Sequence, residues 1–247
     1  MEEFLNSWYG IAIILTFDLL AVLAVICITY RWFFKRVFDV LVSSVCLALT
    51  SPLFLAVFIR GKKFQKTHEG VLESLFEKEI RVGKKEKILC LNRFASRDKD
   101  GELLGRYGRW LEECKLYNLP RLLDVFWGRL SFIGVKALQR SDAEFVEDEV
   151  EKDRFLVRPG LINPLVCVGD KDTTFEEMLL EDRKYAWRFS FFSDCKIFFV
   201  WLLKTIRGDK KEYFGETNGS YAKYLLENEQ ITQDDYTAAC ELDSLDV

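Results

Sequence analysis

The chain has 247 residues, of which 49% are hydrophobic and 15% aromatic, and its formal net charge is −4. This length allows one sizeable soluble domain together with membrane segments. The absence of a basic excess argues against a nucleic-acid-binding protein. Aromatic side chains settle at bilayer interfaces, and the composition therefore favours a protein that works at a membrane surface.

The seven cysteines are scattered and form no C-x-x-C pair, which predicts reduced thiols in a protein that faces the cytosol. The single histidine is His68. A metal site built on His68 is not expected, because there is no second histidine to join it.

The first apolar segment runs from Trp8 to Tyr30 and contains one acid, Asp18. At ~1.5 Å per residue it can cross a ~30 Å hydrocarbon core, which predicts a transmembrane helix. Two acids precede it and no small-residue cleavage site precedes Arg31, which argues against the alternative of a signal peptide. The same charge order predicts an N-terminus outside the cell and a main domain in the cytoplasm. Asp18 is expected to meet a partner helix or a water defect, because an unpaired charge at mid-membrane is costly.

The second apolar segment, Val37–Ile59, lies between basic residues at both ends. Cytoplasmic flanks of membrane helices carry an excess of Lys and Arg, and this symmetry therefore favours a helix that enters and leaves on the same side. Pro52 removes a backbone donor and predicts a break, and the Ser51 hydroxyl can bond to the groups that the break frees. The charge pattern alone leaves open a straight second span with a kink at Pro52.

The rest of the chain predicts a mixed domain and a polar tail. A turn at residues 81–85, before the short apolar strand Ile88–Leu91, indicates a β-hairpin. Phe175–Arg207 predicts one or two amphipathic helices, whose aromatic faces either lie in the membrane interface or form the domain core. The acidic segment Ser141–Asp153 predicts a solvated helix face. From Glu227 onward the chain carries acids but no Lys or Arg, which predicts a mobile tail.

Several short motifs follow one another along residues 35–207. They are Lys35-Arg36-Val37-Phe38-Asp39, Ser51-Pro52, Arg81-Val82-Gly83, Arg93-Phe94-Ala95-Ser96, Arg106-Tyr107-Gly108-Arg109-Trp110-Leu111, Gly128-x-x-Ser131-x-x-Gly134, Arg158-Pro159-Gly160, Asp182-x-x-Tyr185 and Asp194-x-Lys196-Ile197. In order and spacing this set resembles the monotopic polyprenyl-phosphate phosphoglycosyl transferases, also called bacterial sugar transferases.

The residue patterns and the resemblance together predict an α+β membrane protein of the bacterial inner (cytoplasmic) membrane. Its parts would be an N-terminal transmembrane helix (residues 1–31), a re-entrant membrane helix broken at Ser51-Pro52 (35–63), a small and mostly helical cytoplasmic domain with interfacial amphipathic helices and a short β-hairpin (64–207), and a polar acidic tail (208–247). Family members move a sugar phosphate from a UDP-sugar to polyprenyl phosphate. Their chemistry rests on an adjacent Asp-Glu pair, in which the Asp is the nucleophile and the Glu helps to hold Mg²⁺.

Tyr117 and Asn118 stand where that pair is expected. A tyrosine hydroxyl needs strong activation before it attacks a phosphate, and an asparagine offers Mg²⁺ only a neutral oxygen. On a helix, Glu113 would lie one turn from Tyr117 and Asp124 about two turns, which are offsets too large for in-line phosphoryl transfer. No catalytic residue, metal ion or other cofactor is therefore expected.

The leading hypothesis is a degenerate, catalytically inactive family member of envelope glycan or exopolysaccharide biosynthesis. It would bind polyprenyl phosphate, a partner transferase or another copy of the chain. The candidates for binding the lipid phosphate are Lys35, Arg36, Arg81, Arg93, Arg106, Arg109, Arg121 and Lys136. Arg121 and Lys136 are the strongest of these candidates, because they lie nearest to the pocket in which the family's chemistry is expected to occur. One alternative is an active transferase with Tyr117 as nucleophile and Mg²⁺ as cofactor, and another is a membrane adaptor that binds neither lipid nor nucleotide.

Overall fold

The computed structural model describes residues 7–68, 72, 74–98, 101–146, 151–169, 173–207 and 220–244. The helices in these residues are α1 (Trp8–Thr29), α2 (Lys35–Thr67), α3 (Gly105–Glu113), α4 (Arg121–Trp127), α5 (Arg140–Glu144), α6 (Phe175–Arg188), α7 (Phe191–Ile206), α8 (Tyr221–Glu227) and α9 (Gln233–Ser244). The strands are β1 (Phe76–Val82), β2 (Ile88–Phe94), β3 (Ser131–Ile133) and β4 (Gly160–Ile162). A π-helical turn, Tyr30–Phe34, joins α1 to α2. The result is a helix-rich α+β fold with a short hairpin, as predicted.

Helices α1 and α2 contain the two apolar segments. In α1 each side chain that is described between Trp8 and Ile28 is exposed. By length and composition α2 can cross a membrane, whereas the described apolar stretch of α1, Ile11–Val25, is shorter. Asp18 makes no ion pair with another described residue. The transmembrane role of α1 and the partner of Asp18 therefore stay predictions.

Helix α2 runs without interruption from Lys35 to Thr67, with Pro52 inside it. The prediction that Ser51-Pro52 divides this segment into two helices is wrong. Pro52 cannot donate to the carbonyl of Ala48, four residues earlier, but the Ser51 hydroxyl donates to that carbonyl at 2.8 Å. The predicted role of Ser51 is thus confirmed, and it explains why the helix continues.

One face of α2 packs along the domain at both ends of the helix. The Asp39 carboxylate near the start accepts a hydrogen bond from the backbone of β3 at 2.9 Å. Near the end, Gly61 is buried against Tyr107 of α3, where a Cβ atom would lie 2.7 Å from the tyrosine hydroxyl. The opposite face exposes apolar side chains, among them Leu41 and Leu49. The helix therefore lies along the domain and presents an apolar outer surface.

The hairpin predicted around residues 81–85 is confirmed. Strands β1 and β2 pair antiparallel in the register that puts Phe76 opposite Phe94. Strands β3 and β4 form a separate parallel pair. Beside it, the backbone at Gly134 and Gly160 is in close contact, and a Cβ atom on Gly160 would lie 2.1 Å from the Gly134 nitrogen. A side chain at Gly160 would separate the two segments.

The aromatic residues of α6 and α7 divide between the core and the surface. Phe175 and Tyr185 of α6 are buried, as is Phe189, which follows that helix. In α7, by contrast, Phe192 is 70% exposed and Phe199 is 59% exposed. The buried rings belong to the core, and the exposed rings stay candidates for the predicted contact with the membrane interface.

The acidic segment and the tail are folded parts of the domain wherever the structure describes them, which corrects both predictions. Helix α9 packs against α5 and α8. Asp142 is buried and accepts hydrogen bonds from the Ser220 hydroxyl at 2.7 Å and from the Ala222 N–H at 3.1 Å. The acidic composition of the segment does not reveal that one of its carboxylates accepts hydrogen bonds from the start of α8, which is distant in sequence. The predictions for residues 147–150, 208–219 and 245–247 lie outside the described residues.

Candidate functional site

A cavity of about 210 Å³ lies between the hairpin, α4 and the segments that follow β3 and β4. Its charged lining consists of Arg81, Arg121 and Lys136, and its other lining residues are neutral. We refer to it as the central cavity. The three basic side chains come from β1, from the first residue of α4 and from the loop after β3. Cations that converge on a partly enclosed space favour an anionic ligand.

The carboxylate of Glu79 on β1 holds two of these cations in position. One of its oxygens accepts a hydrogen bond from Arg81 and the other accepts one from Arg121. Burial raises the pKa of Glu79, but the positive charges of Arg81 and Arg121 outweigh burial and hold this pKa below its usual value. Glu79 is therefore ionised at neutral pH and offsets part of the positive charge at the cavity.

The loop that carries Lys136 packs against a buried ion pair, Arg154 and Asp182. Burial lowers the pKa of Lys136 to about 8, although the nearby carboxylate of Asp142 raises it. Arg154 donates to the backbone carbonyl of Lys136 at 2.7 Å. Arg154 also pairs with Asp182 at 2.7 Å, and both side chains are only 1% exposed. Burial raises the pKa of Asp182 to about 6 despite this partner. The pair fixes the loop that carries Lys136.

Tyr117 and Asn118 lie in the 3₁₀ turn Leu116–Asn118, between α3 and α4. Neither lines the central cavity. Tyr117 packs against the apolar cluster that contains Phe94 and Leu111. Asn118 Oδ1 is buried and has no hydrogen-bond partner among the described residues. The two residues at the dyad positions therefore do not line the cavity with the three cations.

The two nearby acids, Glu113 and Asp124, do not line the central cavity either. Helix α3 ends at Glu113, and Lys115 adopts a left-handed conformation with φ 54°, which means that Glu113 and Tyr117 do not share one helix. Asp124 is fully buried and accepts hydrogen bonds from the backbone of β2 at 3.0 Å and from Arg129 at 3.0 Å. Glu113 is exposed to solvent, and Asp124 is committed to holding α4 against β2.

The residues around the cavity do not fit Mg²⁺. In the part of the chain that the structure describes, no three His, Cys, Asp or Glu side chains form a group that could hold a metal ion. Glu79 already accepts hydrogen bonds from two guanidinium groups. A hard cation needs several oxygen ligands and would be repelled by the basic lining.

Lys35 docks α2 onto the domain and does not line the central cavity. It pairs with Asp194 of α7 at 2.6 Å. Asp194 also accepts hydrogen bonds from the hydroxyls of Tyr30 at 2.7 Å and Tyr185 at 2.8 Å. Residues from the first and the last sequence motifs thus meet in one buried cluster, which joins the start of α2 to α6 and α7.

The other basic candidates do not line the central cavity either. Arg36 donates to the last-turn carbonyls of α4, at 2.7 Å and 2.5 Å, and satisfies acceptors that a helix end leaves without partners. Arg93 makes two hydrogen bonds to Glu77 on the facing strand, at 3.1 Å and 2.8 Å. Arg106 and Arg109 are exposed on α3. The side chains of Arg36 and Arg93 therefore stabilise the fold through these hydrogen bonds.

Three residues around the cavity were not identified from the sequence. Glu79 lies two residues before Arg81 on β1, and this strand spacing, which puts both side chains on one face, could have indicated the pair. Asn163, which directly follows β4, also lines the cavity, and a single polar residue after an apolar segment gave no signal of this position. Arg154 gave no signal, because its carboxylate partner Asp182 is distant in sequence.

The sequence of the chain matches that of a known protein family. Residues 30–208 match the model of a family described as bacterial sugar transferase. The chain belongs to the bacterial sugar transferase family. The resemblance inferred from the motifs is therefore confirmed, and the match to the family covers most of the chain.

Its relatives include proteins named for polysaccharide production and sugar-phosphate transfer. One is "Exopolysaccharide production protein ExoY" of Rhizobium meliloti (strain 1021), with 28% identity over 192 residues, which covers 67% of this chain and 82% of the relative. "Uncharacterized sugar transferase EpsL" of Bacillus subtilis (strain 168) is 28% identical over 184 residues, with 70% and 87% covered. "UDP-glucose:undecaprenyl-phosphate glucose-1-phosphate transferase" of Klebsiella pneumoniae is 26% identical over 185 residues, with 69% and 40% covered.

Proposed function

We propose that this bacterial sugar transferase family member acts in glycan biosynthesis by binding polyprenyl phosphate in the central cavity, without transferring a sugar phosphate. The observation that carries the proposal is the convergence of Arg81, Arg121 and Lys136 on one cavity that the dyad positions do not line. Relatives named for exopolysaccharide production and for transfer to undecaprenyl phosphate support this lipid as the ligand. A lipid held in this way would be available to a partner transferase.

A phosphate group suits the charges at the cavity. Guanidinium and ammonium groups form their strongest hydrogen bonds with such anions. The guanidinium of Arg121 lines the cavity while one of its nitrogens binds Glu79. A bound phosphate would add the negative charge that Glu79 supplies only in part.

Transfer of a sugar phosphate would require a nucleophile in line with the diphosphate bond. Misplacement by about 1 Å already costs on the order of a hundredfold in rate. Tyr117 is packed in an apolar cluster, and the carboxylates of Glu79 and Asp124 are engaged by arginines. These contacts support binding over transfer.

In this proposal α2 lies in the inner leaflet of the cytoplasmic membrane with both of its ends on the cytoplasmic side, and α1 crosses that membrane with its N-terminus outside. The support is that both ends of α2 meet one domain, through Arg36 at α4 and through Gly61 at α3. A helix that carried residues 35 and 63 to opposite sides could not make both contacts. The exposed apolar face of α2 would then lie in the lipid.

Binding is tested by native mass spectrometry of the full chain in a mild detergent with added polyprenyl monophosphate. We expect one retained lipid per chain. The double substitution Arg121→Gln with Lys136→Gln removes two charge-assisted contacts and should raise the Kd by about tenfold or more. Glu79→Gln should lower the Kd several-fold, because it releases Arg81 and Arg121 from an internal anion.

The matched control removes the same charge from outside the central cavity. Lys78→Gln with Lys115→Gln changes two exposed lysines that do not line it. This control should leave the Kd within about twofold, because exposed charges act on a ligand only through screened, long-range attraction. Equal weakening in both double variants, or no retained lipid with the unmodified chain, would refute binding in the central cavity.

A further inference from the structure

A second cationic cavity lies where α2 ends against the start of α3. Its volume is about 200 Å³, and its charged lining is Arg60 and Lys63 of α2 and Arg106 of α3. We refer to it as the helix-end cavity. It shares no lining residue with the central cavity. Of the basic candidates for phosphate binding, Arg81, Arg121 and Lys136 line the central cavity, whereas Arg106 lines the helix-end cavity.

The wall of the helix-end cavity is held in shape by ring stacking. The Phe64 ring stacks on Tyr107 with centroids 5.5 Å apart and an interplanar angle of 22°. The Phe64 ring also stacks on the His68 ring, with centroids 4.3 Å apart and an interplanar angle of 19°. Gly61 allows α2 to approach the Tyr107 hydroxyl, where a Cβ atom would not fit. The cavity is thus built by the packing of two helices and not by mobile surface chains alone.

The charges of this cavity are not neutralised within the described chain. No carboxylate among the described residues pairs with Arg60, Lys63 or Arg106. The Arg60 guanidinium instead lies 4.9 Å from the centroid of the Trp110 ring, a contact that holds it in place and leaves its edge available to an anion. In the central cavity, by contrast, Glu79 engages two arginines.

The position of the cavity points to the class of anion. Ile59, directly before Arg60, is 58% exposed, and Leu55 one turn earlier is also 58% exposed. The cavity therefore begins where the apolar outer face of α2 ends. In a bilayer, phosphate groups of lipids lie at the corresponding level, next to basic residues that follow a membrane helix.

We propose that the helix-end cavity binds the headgroup phosphate of an anionic glycerophospholipid. Such a lipid would fix the depth and orientation of the end of α2 through its phosphate, with its acyl chains along the exposed face of the helix. The site does not depend on whether the central cavity binds polyprenyl phosphate.

The test is native mass spectrometry of the full chain in a mild detergent with dioleoyl phosphatidylglycerol or dioleoyl phosphatidylcholine. We expect one phosphatidylglycerol to be retained at a lipid concentration at least about fivefold lower than that required for phosphatidylcholine. The double substitution Lys63→Gln with Arg106→Gln should raise the half-saturating concentration of phosphatidylglycerol by about tenfold. Both residues are exposed, and unfolding of this variant is not expected.

The matched control is Lys62→Gln with Lys66→Gln. These exposed lysines belong to the same turns of α2 but do not line the cavity, and the variant has the same net charge as the test variant. Half-saturation should shift by less than about twofold. Equal shifts in both variants, equal retention of the two lipids, or displacement of the phosphatidylglycerol by one equivalent of polyprenyl monophosphate would overturn the proposal.

Discussion

Lys136 differs from the arginines of the central cavity because its charge can be lost within an accessible pH range. Burial lowers its pKa to about 8, and the side chain is therefore charged at pH 7 and mostly neutral at pH 9.5. Arginines remain charged throughout, and a phosphate monoester with a second pKa of ~6 stays doubly ionised over the same interval.

Affinity for polyprenyl phosphate should therefore fall by about fivefold to tenfold as the pH rises from 7 to 9.5. Titration of the lipid at several pH values, followed by native mass spectrometry or scintillation proximity, measures the change. Lys136→Arg serves as control and should give a nearly flat profile. A flat profile with the unmodified chain would remove Lys136 from the binding site.

The ion pair behind Lys136 should dominate the local stability. Asp182→Asn leaves the guanidinium of Arg154 buried without a countercharge, and such a loss costs about 3–5 kcal/mol in free energy of unfolding. For a domain of this size that corresponds to a fall in Tm on the order of 10 °C. Thermal unfolding in detergent, followed by circular dichroism, measures this fall. As a control, Lys184→Ala removes an exposed ion pair with Glu181 and should change the Tm by a few degrees at most. An equal fall in Tm for both substitutions would contradict the dominant role of the buried ion pair.

The identity of the site residues was only partly readable from the sequence. Arg81, Arg121 and Lys136 were among the basic candidates, and the fold brings these three together. Lys35 and Arg36 have the same charge but bind carboxylate and carbonyl acceptors far along the chain. Sequence spacing identifies charged residues, but it does not show which of them meet internal acceptors.

At the scale of elements, α2 shows how a proline can remain inside a long helix. The hydroxyl of Ser51 donates to the Ala48 carbonyl, which Pro52 leaves without its usual N–H donor. Ser51→Ala should leave that carbonyl unsatisfied and lower the free energy of unfolding by about 1 kcal/mol. The Tm of the full chain in lipid nanodiscs is the measurement.

Two further variants separate this effect from the loss of any serine in α2. Ser44→Ala removes a hydroxyl that donates to the Val40 carbonyl at 2.7 Å, where the helix supplies an N–H as well. It should have little effect. Adding Pro52→Ala to Ser51→Ala restores the N–H and should recover the Tm. The explanation fails if Ser51→Ala and Ser44→Ala lower the Tm equally.

The hairpin, which has a local turn signal, was predicted correctly, whereas the docking of the tail, which depends on distant partners, was not. The turn residues at 81–85 were sufficient to predict the hairpin, because its register follows from a short connection. The acidic composition beyond Glu227 suggested a mobile tail, but α9 packs onto α5, where the backbone N–H of Ser141 donates to Asp243 at 3.1 Å. The composition of a segment indicates how well it is solvated, but it does not show that another part of the chain offers a surface on which the segment can pack.

At the scale of the whole molecule, contact of both ends of α2 with one domain gives a prediction about topology. We expect Lys62→Cys and Lys115→Cys to be shielded from a membrane-impermeant maleimide in intact cells, and Trp8→Cys to react. All three positions are exposed on the protein surface, and a background without the natural cysteines avoids other labelling. Reaction of Lys62→Cys from outside, with Lys115→Cys shielded, would show that α2 crosses the membrane.

The central claim is that this family member binds a polyprenyl phosphate and does not react with it. The most direct test is mass spectrometry of the full chain after incubation with polyprenyl monophosphate, Mg²⁺ and a panel of UDP-sugars, under native and then denaturing conditions. We predict a native mass that includes one polyprenyl phosphate, a denatured mass equal to that of the unmodified chain, and no release of UMP. A denatured mass increased by a phosphosugar, or release of UMP that Tyr117→Phe abolishes, would contradict the claim.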